Sequence, residues 1–338
     1  MQPTLRTLAS AAGLSLGLAS VASAQTTTLV NHDFTNAGRT AVTSSNPGPQ
    51  AGPITGLDAN TGTAANSNVW NGTKNDWVVA TNNGGMAGSA GGPTYFDAIN
   101  VATGINGASL RVINVGAFYD LKTYFTSTTL APGDSISVSF NLRTTGANPT
   151  GGDAFRIGLF NSGGVKQTAN LNAYNSTSFD AYTGYFAQYT PNATGSTTTA
   201  NSIRERVSSS NQGLFQGTTT ALANSSTPVV GGTVSFDTTY AVTFSISRSL
   251  DGTTNTITSS FGGASIISTD TTTPLSSFDT LGIFFGSNWG AASPNSRSNF
   301  IDDVLVTHTA AVPEPSAFAA LAGLGALGFA STRRRRVR

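Results

Sequence analysis

The chain has 338 residues, only 10% of them charged against the ~25% usual in soluble domains, and no cysteine. Disulfides, thiol nucleophiles and cysteine-ligated metals are therefore excluded. The two ends carry six of the 17 basic residues and one of the 16 acidic ones, so the formal +1 hides a middle region of about −4, which excludes the basic face that nucleic-acid binding requires.

The first 24 residues carry one cation, Arg6, then an uncharged apolar stretch from about Leu8 to Val21, then Ala22, Ser23 and Ala24. That order predicts a secretory signal read by signal peptidase, with Ala22 and Ala24 as the small residues of the cleavage pattern and Gln25 as the first mature residue. The stretch is too short and wrongly flanked for a permanent membrane span.

Residues 25–310 read as one β domain, with 195–235 as the one alternative break. "DSISVSFNLR" and "TYAVTFSISRSL" place apolar side chains at alternate positions, the period of a half-buried strand. Asp251-Gly252 marks a hairpin turn, with "TNTITSSFGG" as its second strand. "DAFRIGLF" and "TLGIFFGS" are apolar on both faces, as central strands covered on two sides would be, and "SLRVINV", "FYDLKTYF" and "NFIDDVLVTH" supply further strands. The turn-rich stretches 39–65 and 190–201 are expected to be loops, and "SIRERV" at 202–207 is the best place for a short helical turn. The 19 phenylalanines and regular apolar runs argue for a folded chain. Short strands separated by Gly, Asn and Asp turns predict an all-β, antiparallel two-sheet sandwich.

The opening "TTLVNHDF" and closing "FIDDVLVTH" resemble the first and last strands of carbohydrate-binding jelly rolls, which lie side by side. The stretch "YAVTFSISRSLDGTTNTITSSFGG" with "FDTLGIFFGSN" is similar to concanavalin-like lectin and glucanase sandwiches. Both resemblances imply a jelly roll.

Glycoside hydrolysis usually needs two carboxyl groups across the scissile bond. The middle region has a single glutamate, Glu205, inside "RER", where flanking cations would hold it ionised in an ion pair. The two-glutamate catalytic strand of the glucanases is absent, which favours a non-catalytic module; the alternative is a secreted polysaccharide-active hydrolase whose carboxylates are not recognisable. Asp302 or Asp303 could join Asp33 in a structural calcium site, since carboxylates with loop carbonyls are the usual ligands. The alternative makes one a turn cap and the other a solvated side chain. His32 and His308 fall on the first and last strands, where they could approach each other, although two exposed strand histidines are the simpler reading. Trp70, Trp77 and Trp289 offer faces on which a glycan could stack, Trp289 and Trp70 most of all because of their polar flanks. Tyr185 and Tyr189 share one face of a strand and Tyr182 the other, which suits packing.

The tail joins Pro313-Glu314-Pro315, an uncharged run of Ala, Leu, Gly and Phe over 316–330, and Arg333, Arg334, Arg335 and Arg336. The prolines hold Glu314 in an extended segment that a processing enzyme can grip. About 15 helical residues reach ~23 Å, slightly short of a ~30 Å hydrocarbon core, and the arginines would stay on the cytoplasmic side. The stretch from Val312 onward resembles the PEP-CTERM sorting signal. The resemblance implies processing by an exosortase in a Gram-negative bacterium, transient inner-membrane anchoring by a short transmembrane helix, and delivery to the cell surface or the extracellular polysaccharide matrix. The expected division is signal peptide 1–24, β-sandwich 25–310 and sorting tail 311–338.

Overall fold

Alternation of aliphatic and hydroxyl side chains dictates much of the fold. Over Ser135–Thr144, Ile136, Val138, Phe140 and Leu142 are buried while Ser135, Ser137, Ser139 and Asn141 are half-buried, so only an extended strand with one face on a core satisfies both sets. The computed structural model describes residues 23–32, 54–55, 75–81, 96–100, 105, 108–113, 118–145, 154–167, 171, 176–190, 201–222, 237–286 and 298–312.

In chain order the strands are β1 (Thr26–His32), β2 (Ile54–Thr55), β3 (Asn75–Thr81), β4 (Phe96–Asn100), β5 (Ala108–Ile113), β6 (Tyr119–Thr129), β7 (Ser135–Thr144) and β8 (Phe155–Asn161). They continue as β9 (Thr183–Tyr189), β10 (Ser202–Arg206), β11 (Thr219–Ala221), β12 (Thr239–Arg248), β13 (Asn255–Phe261), β14 (Ala264–Asp270), β15 (Ser277–Phe285) and β16 (Ser298–Thr309). They build two antiparallel sheets. The first runs β14-β13-β12-β7-β16-β5-β4, with β1 also paired to β16; the second runs β11-β10-β9-β8-β15-β6-β3-β2. Among the described residues the only helical piece is one 3-10 turn, Thr177–Phe179, and no helix is long and apolar enough to cross a membrane. The signal stretch before Ser23 and the apolar run 316–330 lie outside the described residues.

The main core lies between the sheets: Val138, Phe140 and Phe244 from the first meet Phe155, Ile157 and Leu281 from the second. A second core covers the opposite face of the second sheet. There Phe160, Phe186 and Phe284 pack under Phe179, Leu214 and Phe215, which come from the connections before β9 and after β10. This explains why β8 and β15 are apolar on both faces. The hairpin at Asp251-Gly252 is present: Gly252 takes φ +72°, and Asp251 accepts from the Ser249 hydroxyl at 2.5 Å and the Thr253 N–H at 3.0 Å. One expectation fails. Residues 202–206 form strand β10, because Ile203 and Glu205 face the sandwich interior while Arg204 and Arg206 face away, a period of two that a helical turn would scramble.

Residues Gln25–Ala311 form one compact unit. Met1–Ala24 with Val312–Arg338 form another, of which only Ser23, Ala24 and Val312 are among the described residues.

Candidate functional site

The C-terminal end of the domain is closely tied. β1 pairs antiparallel with β16, Thr26 opposite Thr309, so residues 25 and 310 meet at one corner, where the Ala310 N–H donates to the Gln25 carbonyl at 2.9 Å. One residue further, the Ala311 N–H donates to Asp134 Oδ1 at 2.8 Å. The other carboxylate oxygen of Asp134 accepts from the Ala131 N–H at 3.0 Å and lies 2.9 Å from His308 Nε2. Burial pushes the Asp134 carboxyl up, but the Ala311 N–H, His308 and the Ala131 N–H together hold it below its usual value. The turn that presents Asp134, "APGD", places Gly133 at φ +86°, and a Cβ there would lie 2.8 Å from the Ala311 Cβ. Only glycine fits both the backbone and the contact. Sequence reasoning missed Asp134, for which the Pro-Gly-Asp turn just before a strand was the available signal.

Asp302 and Asp303 sit where β16 changes partners, β5 pairing with it up to Ile301 and β1 from Val304 onward. A bulge falls there, with Asp303 at φ +54°, a conformation aspartate tolerates better than most residues. Asp302 is buried and accepts the Asp303 N–H at 2.9 Å; Asp303 is exposed and accepts from Asn141 Nδ2 at 2.9 Å. The two carboxylates thus differ in burial, and the bulge breaks the regular strand alternation that would have put them on opposite faces. Asp33, Trp70 and Trp289 lie outside the described residues, as do Ala22, Pro313, Glu314, Pro315 and Arg333 to Arg336. Among the described residues no three His, Asp or Glu side chains gather as a metal would require.

The histidines do not approach each other. His32 pairs with Val304 and His308 with Thr27, toward opposite ends of the β1·β16 ladder. His32 is buried with its ring 5.9 Å from that of Trp77, itself fully buried. Trp77 is therefore a core residue and offers no stacking face. Tyr185 and Tyr189 enter the main core and Tyr182 the second, as alternation required.

The charges of "RER" separate by the same rule. Glu205 faces the interior near Asp270, and burial first, then the Asp270 charge, push its carboxyl above the ordinary range. Neither arginine of the triplet offsets that rise, because both are on the other face. Arg206 is fully buried and donates to four carbonyls: Tyr182 at 3.1 Å, Phe179 at 2.8 Å, Gly213 at 2.9 Å and Gln216. It staples both covering segments to the second sheet. Beside it Lys122 Nζ lies 3.1 Å from Asp120 Oδ2 and 4.4 Å from the centre of the Phe179 ring, all fully buried. Burial pushes Asp120 up and Lys122 down, and each charge partly offsets the shift of the other. The opposite charges two residues apart in "YDLKTY" were the readable sign of this pair.

The outer face of the first sheet is a different surface. In register across six strands stand Thr26, Thr309, Ser135, Ser247, Thr256 and Thr269. The next row continues Thr28, Thr307, Ser137, Ser245 and Thr258, ending at the exposed Ile267. A third holds Ser139, Thr243, Ser260 and Ser265 beside Leu305. These rows contain no charged residue. Their hydroxyls bond across strands at Thr26–Thr309 (3.1 Å), Ser137–Thr307 (2.9 Å) and Thr243–Ser260 (2.6 Å).

Comparison with known proteins gives one specific match and several distant likenesses. No curated protein matches the chain in sequence. Among solved structures, the potassium-bound carbohydrate recognition domain of Emp46p is 8% identical, with a TM-score of 0.40, covering 70% of this chain and 90% of that one. The VIP36 exoplasmic/lumenal domain in its Ca2+/Man-bound form is 10% identical with a TM-score of 0.39, covering 78% and 91%. Lectin I-B4 of Griffonia simplicifolia, metal-free, is 15% identical with a TM-score of 0.31, covering 71% and 96%. At such identities and TM-scores none of their ligands carries over to this chain. Residues 311–336 match the PEP-CTERM protein-sorting motif, so the clamp on Ala311 holds the first residue of a sorting signal.

Proposed function

We propose that this is an exported protein sorted by an exosortase to the cell surface or extracellular matrix of a Gram-negative bacterium, where its β domain works without catalysis on a neutral glycan. The observation that carries the sorting half is the match of 311–336 to the sorting motif. In this reading signal peptidase cuts after Ala24. The run 316–330 then holds the precursor in the inner membrane with Arg333 to Arg336 on the cytoplasmic side, and the exosortase acts at Val312 to Pro315. The division is 1–24, 25–310 and 311–338, and the middle is a jelly roll. Intact mass and fractionation of the native protein test this: a species beginning at Gln25 and ending near Val312 in the surface or medium fraction is expected. Full-length protein in the inner membrane would overturn it.

The uncharged hydroxyl face of the first sheet supports the glycan half, because ordered Ser and Thr side chains offer donors and acceptors to a polymer that presents the same groups. Trp289 and Trp70 would add stacking faces. Thr243→Lys and Thr256→Lys, both at exposed positions, are each expected to abolish co-sedimentation of the mature domain with the organism's own extracellular polysaccharide while leaving its Tm unchanged. Retained co-sedimentation would remove this face from the reading. Asp33 with one of Asp302 and Asp303 is proposed to hold a structural calcium ion, which a Tm indifferent to chelation would sink.

A further inference from the structure

We propose that the Asp134 clamp gates removal of the sorting tail, so that the folded domain sets when the exosortase can act. This rests on the sorting reading above. The last stretch of β16 is held up to the signal. Between Leu305 and Thr309, β16 is paired on both sides, to β1 and to β7. Past Thr309, the Ala310 N–H is taken by Gln25 and the Ala311 N–H by Asp134. One residue, Val312, then separates the clamp from Pro313-Glu314-Pro315.

Chain reach turns that spacing into a constraint. Three virtual bonds of 3.8 Å place the Glu314 Cα at most about 11 Å from the Ala311 Cα. In this proposal the exosortase grips about four extended residues upstream of a cut after Glu314, which span those same three virtual bonds and so take in Ala311 itself. Gripping Ala311 requires its release, which breaks the bond to Asp134, strains the one from Ala310 to Gln25 and lifts the Ala311 methyl from its seat over Gly133. Of these ties, Asp134 is the one made by a side chain. Its carboxylate also holds the Ala131 N–H and His308, so the turn, the last strand and the junction open together.

Two variants of the full chain, expressed in a host that carries its own exosortase, test the gate by intact mass across a pulse-chase. Asp134→Ala frees the junction. Gly-Ser-Gly inserted between Ala311 and Val312 leaves the clamp intact and moves the gripped residues clear of Ala311. Removing a hydrogen bond to a charged acceptor shifts an opening equilibrium by roughly tenfold or more, so Asp134→Ala should lose the tail about tenfold faster than the wild type, and the insertion, which needs no opening, at least as fast. The insertion should do so with unchanged Tm, and it decides the matter if Asp134→Ala fails to fold. Wild-type rates in the insertion variant would overturn the gate while leaving the sorting reading intact. A wild-type chain that keeps its tail throughout would overturn both.

Discussion

At the scale of single residues, burial decides what the charges of this protein do, and Glu205 is the clearest case. Its carboxyl is raised by desolvation and then by Asp270, whereas the unfolded chain returns it to about its ordinary 4.5. A carboxyl whose folded value is raised contributes stability that is present below the unfolded value and lost as pH rises through the folded one. Glu205→Gln keeps the shape and removes the charge. Its Tm should therefore match the wild type near pH 4 and exceed it at pH 7; a neutral-pH Tm at or below wild type would show that the ionised carboxylate is well accommodated. Asp134 has the opposite sign, contributing stability above its ordinary 3.8 and losing it as pH falls through its depressed folded value. The difference was half legible in the sequence. The "RER" triplet announces charge, but only strand alternation, which turns the arginines away, tells which charge is paired.

At the scale of elements, the outer face of the second sheet is the least ordinary part of the fold. Strand β6 alternates between two cores: Tyr119, Leu121 and Phe125 enter the main one, and Asp120, Lys122 and Tyr124 face the second. Tyr124 and Tyr182 exchange a 2.9 Å hydrogen bond there, Gln167 N–H donates to Tyr124, and Arg206 fastens the chain on both sides. Removing one member of a buried ion pair leaves the other uncompensated, at a cost of about 3–5 kcal/mol. Lys122→Met should lose stability of that order in urea titration, and Asp120→Leu combined with Lys122→Met should recover most of it. A double variant no better than the single would mean that Arg206 needs the Asp120 carboxylate. The strands themselves were legible wherever Ser or Thr alternated with aliphatic residues, as in β7, β12 and β13. The covering of β8 and β15 was legible as two-faced apolarity, but what covers them was not. Phe179, Leu214 and Phe215 belong to segments without period, placed by Arg206 and the backbone rather than by any local pattern.

At the scale of the whole molecule, strand order links folding to export. The last strand made, β16, sits inside the first sheet: β7 pairs with it along one side, and β5 and β1 share the other. That sheet cannot close until residue 309 has left the ribosome and, in the export reading, crossed the membrane. The tail would still hold the chain at that moment, so the domain reaches its final form while anchored, and release follows folding. The side-by-side placement of the first and last strands was implied by the resemblance of the bracketing "TTLVNHDF" and "FIDDVLVTH" to the terminal strands of jelly rolls. The insertion of β16 between β7 and β5 was not, because pairing across more than a hundred residues leaves no local period in the sequence. Truncation separates the two contributions of the C-terminal region. A chain running from Gln25 to Ala311 keeps every strand and the Asp134 clamp, and it should melt in one cooperative transition followed by circular dichroism. A chain stopped at Arg297 loses β16, splits the first sheet between β7 and β5, and strips β1 of its partner. It should show no cooperative transition. If it melts like the longer chain, β16 is an appendage rather than the keystone of the sheet, and folding places no condition on when the tail is released.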